Sequence, residues 1–374
     1  MDPKPRKILY TASTDAHLRS FHLPYLEALL RAGCSVTAAA EGDGRGLPEG
    51  TVFFRVPFTK RMFSPRNVRA SMALCGLLRR EEFDEVICHT SLAAFFTRVG
   101  VLLSRRRPRV VNVVHGYLFD DDTPPLRRWA LLSAERLARS VTDDILVMNA
   151  ADEKIARQNR LCRGNVVRIP GMGVPMARYA PASAQERAEA RRALGLGDGD
   201  LALLCAAEFS ARKNQRVLLE ALAQMPEDVV LLLPGDGALR EECRALAKKL
   251  GVESRVRFPG HVPDVTLWLR AADVCVSASR SEGLPFHVME AMSCALPCVL
   301  SKVKGHEDLL SGGKCGLLVP YGDAAALAAA VKKLRPDPEL RRRLGGQGAE
   351  RIKEYTLDAV LPQVLPWFLK GRKA

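Results

Sequence analysis

The feature that most constrains this 374-residue chain is an alternation of short apolar runs and amphipathic stretches that occurs twice, with a break between the two series. In the first series, strand-like runs at Lys7–Thr11, Ser35–Ala39, Glu85–His89, Val110–His115, Asp144–Met148 and Val166–Pro170 are separated by helical periodicity at Phe21–Ala32, Ala70–Arg80 and Leu126–Arg139. Gly171-Met172-Gly173-Val174-Pro175 then interrupts the pattern. After a charged stretch over residues 182–200, strands are predicted at Leu201–Ala207, Val229–Leu233, Val256–Phe258, Val274–Ser277, Cys298–Leu300 and Gly316–Val319, with helices at Gln215–Met225 and Leu239–Leu250. Alternation of this kind predicts parallel sheets with right-handed crossovers. The expectation is two doubly wound, Rossmann-like α/β domains, residues 1–175 and 183–353. The apolar, proline-containing tail, residues 354–374, is expected to pack back on the first. Such sheets bind ligands beyond the carboxyl ends of their strands, so two facing domains are expected to make a cleft.

Charge narrows the partners. Fifty-six basic residues against 42 acidic ones leave a formal charge of +14, which favours an anionic partner. Lys60-Arg61-Met62-Phe63, Leu126-Arg127-Arg128-Trp129 and the arginines from Arg105 to Arg109 set cations beside large apolar side chains. That mixture suits peripheral contact with an anionic membrane, at roughly 1 kcal/mol per basic residue, with a merely solvated rim as the alternative. Nucleic acid is not expected as a partner, because the basic clusters are not interleaved with stacking aromatics. No apolar run approaches the ~20 residues of a membrane span, and no signal-peptide core follows Met1. The expected location is cytoplasmic, at the inner face of the plasma membrane. Ten scattered cysteines read as reduced thiols.

Two strand-to-helix junctions in the second series carry the chemistry. After Val274–Ser277 come Glu282, Gly283, Leu284 and Pro285, then a helix holding Glu290. A helix opening at Pro285 presents free N–H groups to an anion, and the two carboxylates suit hydroxyl groups on either side of it. After Leu201–Cys205, Arg212 and Lys213 arrive at a second carboxyl strand end, where they can neutralise a diphosphate leaving group.

Together these segments resemble the retaining GT-B-type glycosyltransferases with a Glu-x7-Glu motif, the large family known as group 1 or family 4. Pro234-Gly235-Asp236-Gly237, Phe258-Pro259-Gly260-His261-Val262, Gly316–Pro320, Ile169–Val174 and Val114-His115-Gly116 follow the family's order. Ser20–Tyr25 and Val147–Asp152 are similar to its capsule and exopolysaccharide branch. The resemblance implies that Lys213 contacts the diphosphate of a nucleotide-sugar donor, with Arg212 as a further donor-binding residue. It implies that Glu290 holds the ribose, and that Glu282 with the backbone of Gly283 and Leu284 holds the sugar. His261 and Val262 then border the base, and His115 acts near the reacting carbon. Ser13 and His17 stand on the acceptor side, where the family's usual glycine pair is missing, and Glu208 stands where many members carry arginine.

The resemblance further implies transfer of a hexose or N-acetylhexosamine, UDP-linked, to a glycan or lipid-linked acceptor in surface polysaccharide synthesis, with no cofactor and no metal. Asp120-Asp121-Asp122 contains an Asp-x-Asp pattern, but it lies in a polar loop of the first half and is read as a solvated acidic loop. A nucleotide-sugar epimerase of the same architecture is the alternative activity, and a non-catalytic binding protein the second.

Overall fold

Uninterrupted runs of valine, leucine and isoleucine become strands buried on both faces, as crossovers that place helices on each side of a parallel sheet require. The computed structural model describes residues 5–119, 123–174 and 178–371, so the Asp120-x-Asp122 pattern and Pro175 lie outside the described residues. The chain divides into two units, Met1–Met172 with Asp358–Ala374, and Gly173–Leu357.

The first unit contains β1 (Lys7–Thr14), β2 (Ser35–Glu41), β3 (Val52–Arg55), β4 (Glu85–His89), β5 (Arg109–Val114), β6 (Asp144–Val147) and β7 (Val166–Arg168). They form one sheet in the order β3-β2-β1-β4-β5-β6-β7, parallel throughout. The second unit contains β8 (Leu201–Leu204), β9 (Val229–Pro234), β10 (Val256–Gly260), β11 (Val274–Ser277), β12 (Cys298–Ser301) and β13 (Leu317–Val319). Their order is β10-β9-β8-β11-β12-β13, again parallel. In each sheet the order reverses beside its first strand, at β1/β4 and at β8/β11, and the carboxyl ends there are the binding positions of doubly wound folds.

The structure departs from the sequence reading at several points. One helix was predicted over Phe21–Ala32, but two form, Asp15–Phe21 and Leu23–Arg31, separated at His22. Thr14 caps the first by accepting a hydrogen bond from the His17 N–H, and Pro24 suits the first turn of the second. Strand β3 was not predicted; it is a four-residue edge strand without a buried face, so its alternation carries no core signal. The charged stretch after residue 182 contains an unpredicted helix, Ala184–Ala193, opened by a Ser183–Glu186 capping box. The tail forms the helix Leu357–Leu369, which includes Pro362 and Pro366. From Asp358 onward it belongs to the first unit, where Val360, Val364 and Phe368 are buried. The Phe368 ring packs against Tyr10, Tyr25 and His89. Buried Glu85 pairs with Arg6 Nη2 and Arg109 Nη1; Arg6 Nη1 donates to the Leu369 carbonyl, and Arg109 Nη1 donates also to that of Trp367. Among the described residues no helix is long and apolar enough to cross a membrane.

Candidate active site

In the second unit, β8 ends at Leu204 and the chain runs through an irregular loop to the helix Gln215–Leu222. The loop is fixed by its own bonds: the Gln215 side chain donates to the Glu208 carbonyl, and Asn214 takes a left-handed φ of 53°. Next to it, β11 leads through residues 278–285 to the helix Phe286–Ser293. Pro285 stands just before that helix rather than as its first residue. Ser301 on β12 donates to the Ser279 carbonyl at 2.6 Å and so holds the start of the second loop.

The two loops meet through charge. Lys213 Nζ lies 2.7 Å from Glu282 Oε1, and Arg212 Nη1 lies 2.7 Å from Glu282 Oε2 and 3.2 Å from the Ser281 carbonyl. Burial pushes the Glu282 carboxyl up, but the Lys213 and Arg212 charges outweigh it and hold the group at about 2. Glu282 is therefore a carboxylate at any physiological pH, able only to accept hydrogen bonds. Arg212 joins Lys213 in this cluster, while Glu208 is exposed and takes no part in it.

Glu290 sits in a different environment. Burial raises its pKa, against the Tyr179 hydroxyl, which hydrogen-bonds it, and the Arg178 charge. Arg178 is in turn paired with Asp264 at 3.1 Å. Glu290, His261 and Val262 line an open pocket of about 550 Å³ together with Glu208, Pro234 and Asp236, a size that suits a small organic ligand. Gly235 forms part of its wall: its φ is +152°, and a Cβ there would come within 2.0 Å of the Ala207 carbonyl oxygen. Both the Arg212–Lys213–Glu282 cluster and this pocket draw on the loop that follows the carboxyl end of β8, between Leu204 and Gln215. A larger pocket of about 650 Å³ opens at the amino ends of β8 and β11. Its Arg187 and Arg191 are already engaged by Asp273 and by backbone carbonyls, so these two are not free for a ligand.

The remaining expected residues, Ser13, His17 and His115, lie in the first unit. Ser13 is half-buried near the end of β1. His17 and His115 come together, with ring centroids 5.5 Å apart. The sequence reading missed the two histidines that complete this group. His22 hydrogen-bonds the Tyr10 hydroxyl at 2.9 Å, and His89 meets His115 at 3.1 Å between Nδ1 and Nε2. Nothing along the chain signals that residues 17, 22, 89 and 115 converge. Tyr179 and Arg178, the partners around Glu290, were missed for the same reason.

Residues 23–171 match the family "Glycosyl transferase 4-like domain", and residues 186–351 match "Glycosyl transferases group 1". EpsD of Bacillus subtilis (strain 168) is 32% identical over 356 residues, which cover 94% of this chain and 93% of that protein. The chain belongs to the group 1 glycosyltransferases. Membership sets aside both the epimerase and the non-catalytic alternatives. The UDP-Gal:alpha-D-GlcNAc-diphosphoundecaprenol alpha-1,3-galactosyltransferase of Escherichia coli is 24% identical over 294 residues, 77% of this chain and 76% of that enzyme. Among solved structures, Anabaena HepE in complex with UDP and glucose superposes with a TM-score of 0.80 at 20% identity, covering 98% of this chain and 100% of that one. This glycosyltransferase therefore has the GT-B fold of two parallel-sheet Rossmann-like units. The group 1 match spans Arg212, Lys213, His261, Glu282 and Glu290, whereas His17 and His22 precede the first match.

Proposed function

We propose that this glycosyltransferase moves a hexose or N-acetylhexosamine from a UDP-linked donor, with retention and without a metal, to a glycan or lipid-linked acceptor in surface polysaccharide assembly. The observation that carries the reading is the convergence of Lys213 and Arg212 on Glu282 beside the pocket bordered by Glu290. Two cations already drawn together at a carboxyl strand end suit a diphosphate, which competes with Glu282 for them. Released in part, the Glu282 carboxylate accepts hydrogen bonds from sugar hydroxyls. Glu290, oriented by Tyr179, accepts from the ribose, with His261 and Val262 at the base. HepE, complexed with UDP and glucose, supports the choice of nucleotide, and the E. coli relative supports a lipid-linked acceptor.

In the proposed reaction the acceptor oxygen bonds to the anomeric carbon on the face from which the diphosphate departs. The bond from that carbon to phosphate breaks, and the hydroxyl proton passes to the leaving phosphate oxygen. The positive charge at the leaving group comes from Lys213 and Arg212, which is why no metal is invoked. His115 is assigned to the transfer step, so His115→Ala lowers turnover while UDP binding persists. A thermal-shift panel of UDP, GDP, ADP and their sugars tests the donor reading. Stabilisation by UDP that disappears in Lys213→Ala supports it; an equal response in the variant, or none to any nucleotide in the wild type, overturns it.

The membrane contact belongs to the same proposal. Phe63 is 95% exposed, Leu126 79% and Trp129 65%, beside Lys60, Arg61, Arg127 and Arg128. Met62, Leu118 and Leu131 line one small apolar crevice, which brings the first of these segments next to the helix Pro125–Ala138. Anionic vesicles should sediment the protein at low salt and release it as salt rises. Failure to sediment at any salt refutes the contact.

A further inference from the structure

Four of the seven histidines, His17, His22, His89 and His115, gather beyond the carboxyl ends of β1, β4 and β5. His22 and His89 are fully buried, and the ring centroids of this pair are 4.3 Å apart. The Nε2 atoms of His17, His22 and His89 are buried without a hydrogen-bond partner. An unsatisfied buried nitrogen costs about 1–3 kcal/mol, so the two on His17 and His22, side by side in one cluster, call for an occupant. Among the described residues, His17, His22 and His115 are the one group of three metal-ligating side chains whose donor atoms all lie within 4.8 Å of one another.

We propose that His17, His22 and His115 form a binding site for a divalent transition-metal ion, zinc foremost. Ligand nitrogens about 2.0–2.1 Å from a tetrahedral zinc lie roughly 3.4 Å from each other, so modest ring movements close the present spacing. The all-imidazole donor set selects zinc, copper, nickel or cobalt over magnesium, calcium or manganese. A neutral imidazole carries one lone pair that an ion can take. The outer sphere is also in place. Tyr10 engages Nδ1 of His22 and leaves Nε2 free, and His89 engages His115. Three protein ligands leave a fourth position open, as in sites that exchange a water.

The site goes beyond the transfer chemistry proposed above, which needs no metal. It shares His115 with that chemistry, so occupancy should inhibit transfer reversibly; this consequence alone rests on the proposed function. The test uses the full chain without an affinity tag, stripped with a chelator. Cobalt titration followed by visible absorption, and zinc titration by calorimetry, should give one ion per chain and a tetrahedral cobalt spectrum that zinc displaces. His22→Gln should abolish this, and the less buried His17→Asn should weaken it about 100-fold, at the upper end of what even outer-sphere changes cost; Tyr10→Phe should cost about tenfold. The UDP-induced melting shift of each variant reports separately on the donor unit. Absence of stoichiometric binding, or binding within threefold of wild type in His17→Asn, overturns the site whatever the fate of His22→Gln.

Discussion

Replacing Glu282 with glutamine should destabilise the second unit, strengthen its response to UDP and abolish sugar transfer. The side chains of Glu282 and Lys213 are 6% and 9% exposed, so the substitution strands a buried ammonium. Breaking a buried pair costs about 3–5 kcal/mol, and the lower end applies because Arg212, half exposed, regains water. The carboxyl gives an independent value: held at about 2 against an ordinary 4.5, it contributes on the order of 3 kcal/mol at roughly 1.4 kcal/mol per pH unit. Because the folded-state pKa is depressed, this contribution is complete above pH 4.5 and drains away as pH falls towards 2. At about 2–4 °C per kcal/mol, the variant should melt roughly 6–12 °C below wild type at pH 7. It should also lack that part of the wild type's acid sensitivity. UDP no longer has to displace a carboxylate from Lys213, so its stabilising increment should exceed that in the wild type. Calorimetric melting from pH 7 to 3, with and without UDP, reads all of this. Melting within about 2 °C of wild type together with an unchanged UDP increment would refute the reasoning.

Three further perturbations have defined outcomes. Glu290→Ala removes the proposed ribose acceptor and should weaken UDP binding by about tenfold, or 1.4 kcal/mol, with a smaller loss in Tyr179→Phe; calorimetric titration checks both. Gly235→Ala drives a Cβ towards the Ala207 carbonyl at 2.0 Å, so the loop must shift and UDP affinity should fall; unchanged affinity would show that this wall does not bound the nucleotide. Phe368→Ala empties a fully buried site among Tyr10, Tyr25 and His89, and should cost about 3–5 kcal/mol in urea unfolding of the first unit.

Sequence carried the architecture well because parallel sheets buried on both faces leave long apolar marks: β4 and β11 span the predicted residues. It failed where the mark is weak or misleading. β3 has no buried face, and the apolar periodicity of Phe21–Ala32 runs past the break at His22, a residue buried by its tertiary partners. At the site, the motif spacing picked out Lys213, Glu282 and Glu290 one at a time. It did not reveal that Lys213 and Arg212 bond Glu282 itself, or that Tyr179 turns towards Glu290 from far along the chain. Motifs record residue types at strand ends; which of them neutralise each other is decided by loop geometry.

The helix Leu357–Leu369 imposes an order on biosynthesis. Strands β1–β7 leave the ribosome first, yet Phe368 follows Arg168 by about 200 residues, roughly 10–40 s of translation. Throughout that interval Tyr10, Tyr25 and His89 lack the ring that covers them, and Glu85 lacks the carbonyl-capped setting of its arginines. The first half of the nascent chain thus waits, apolar seam exposed, for residues 358–369 to arrive. Chaperone dependence should concentrate in this unit, and a stop codon at Asp358 should unfold it while the second unit stays whole.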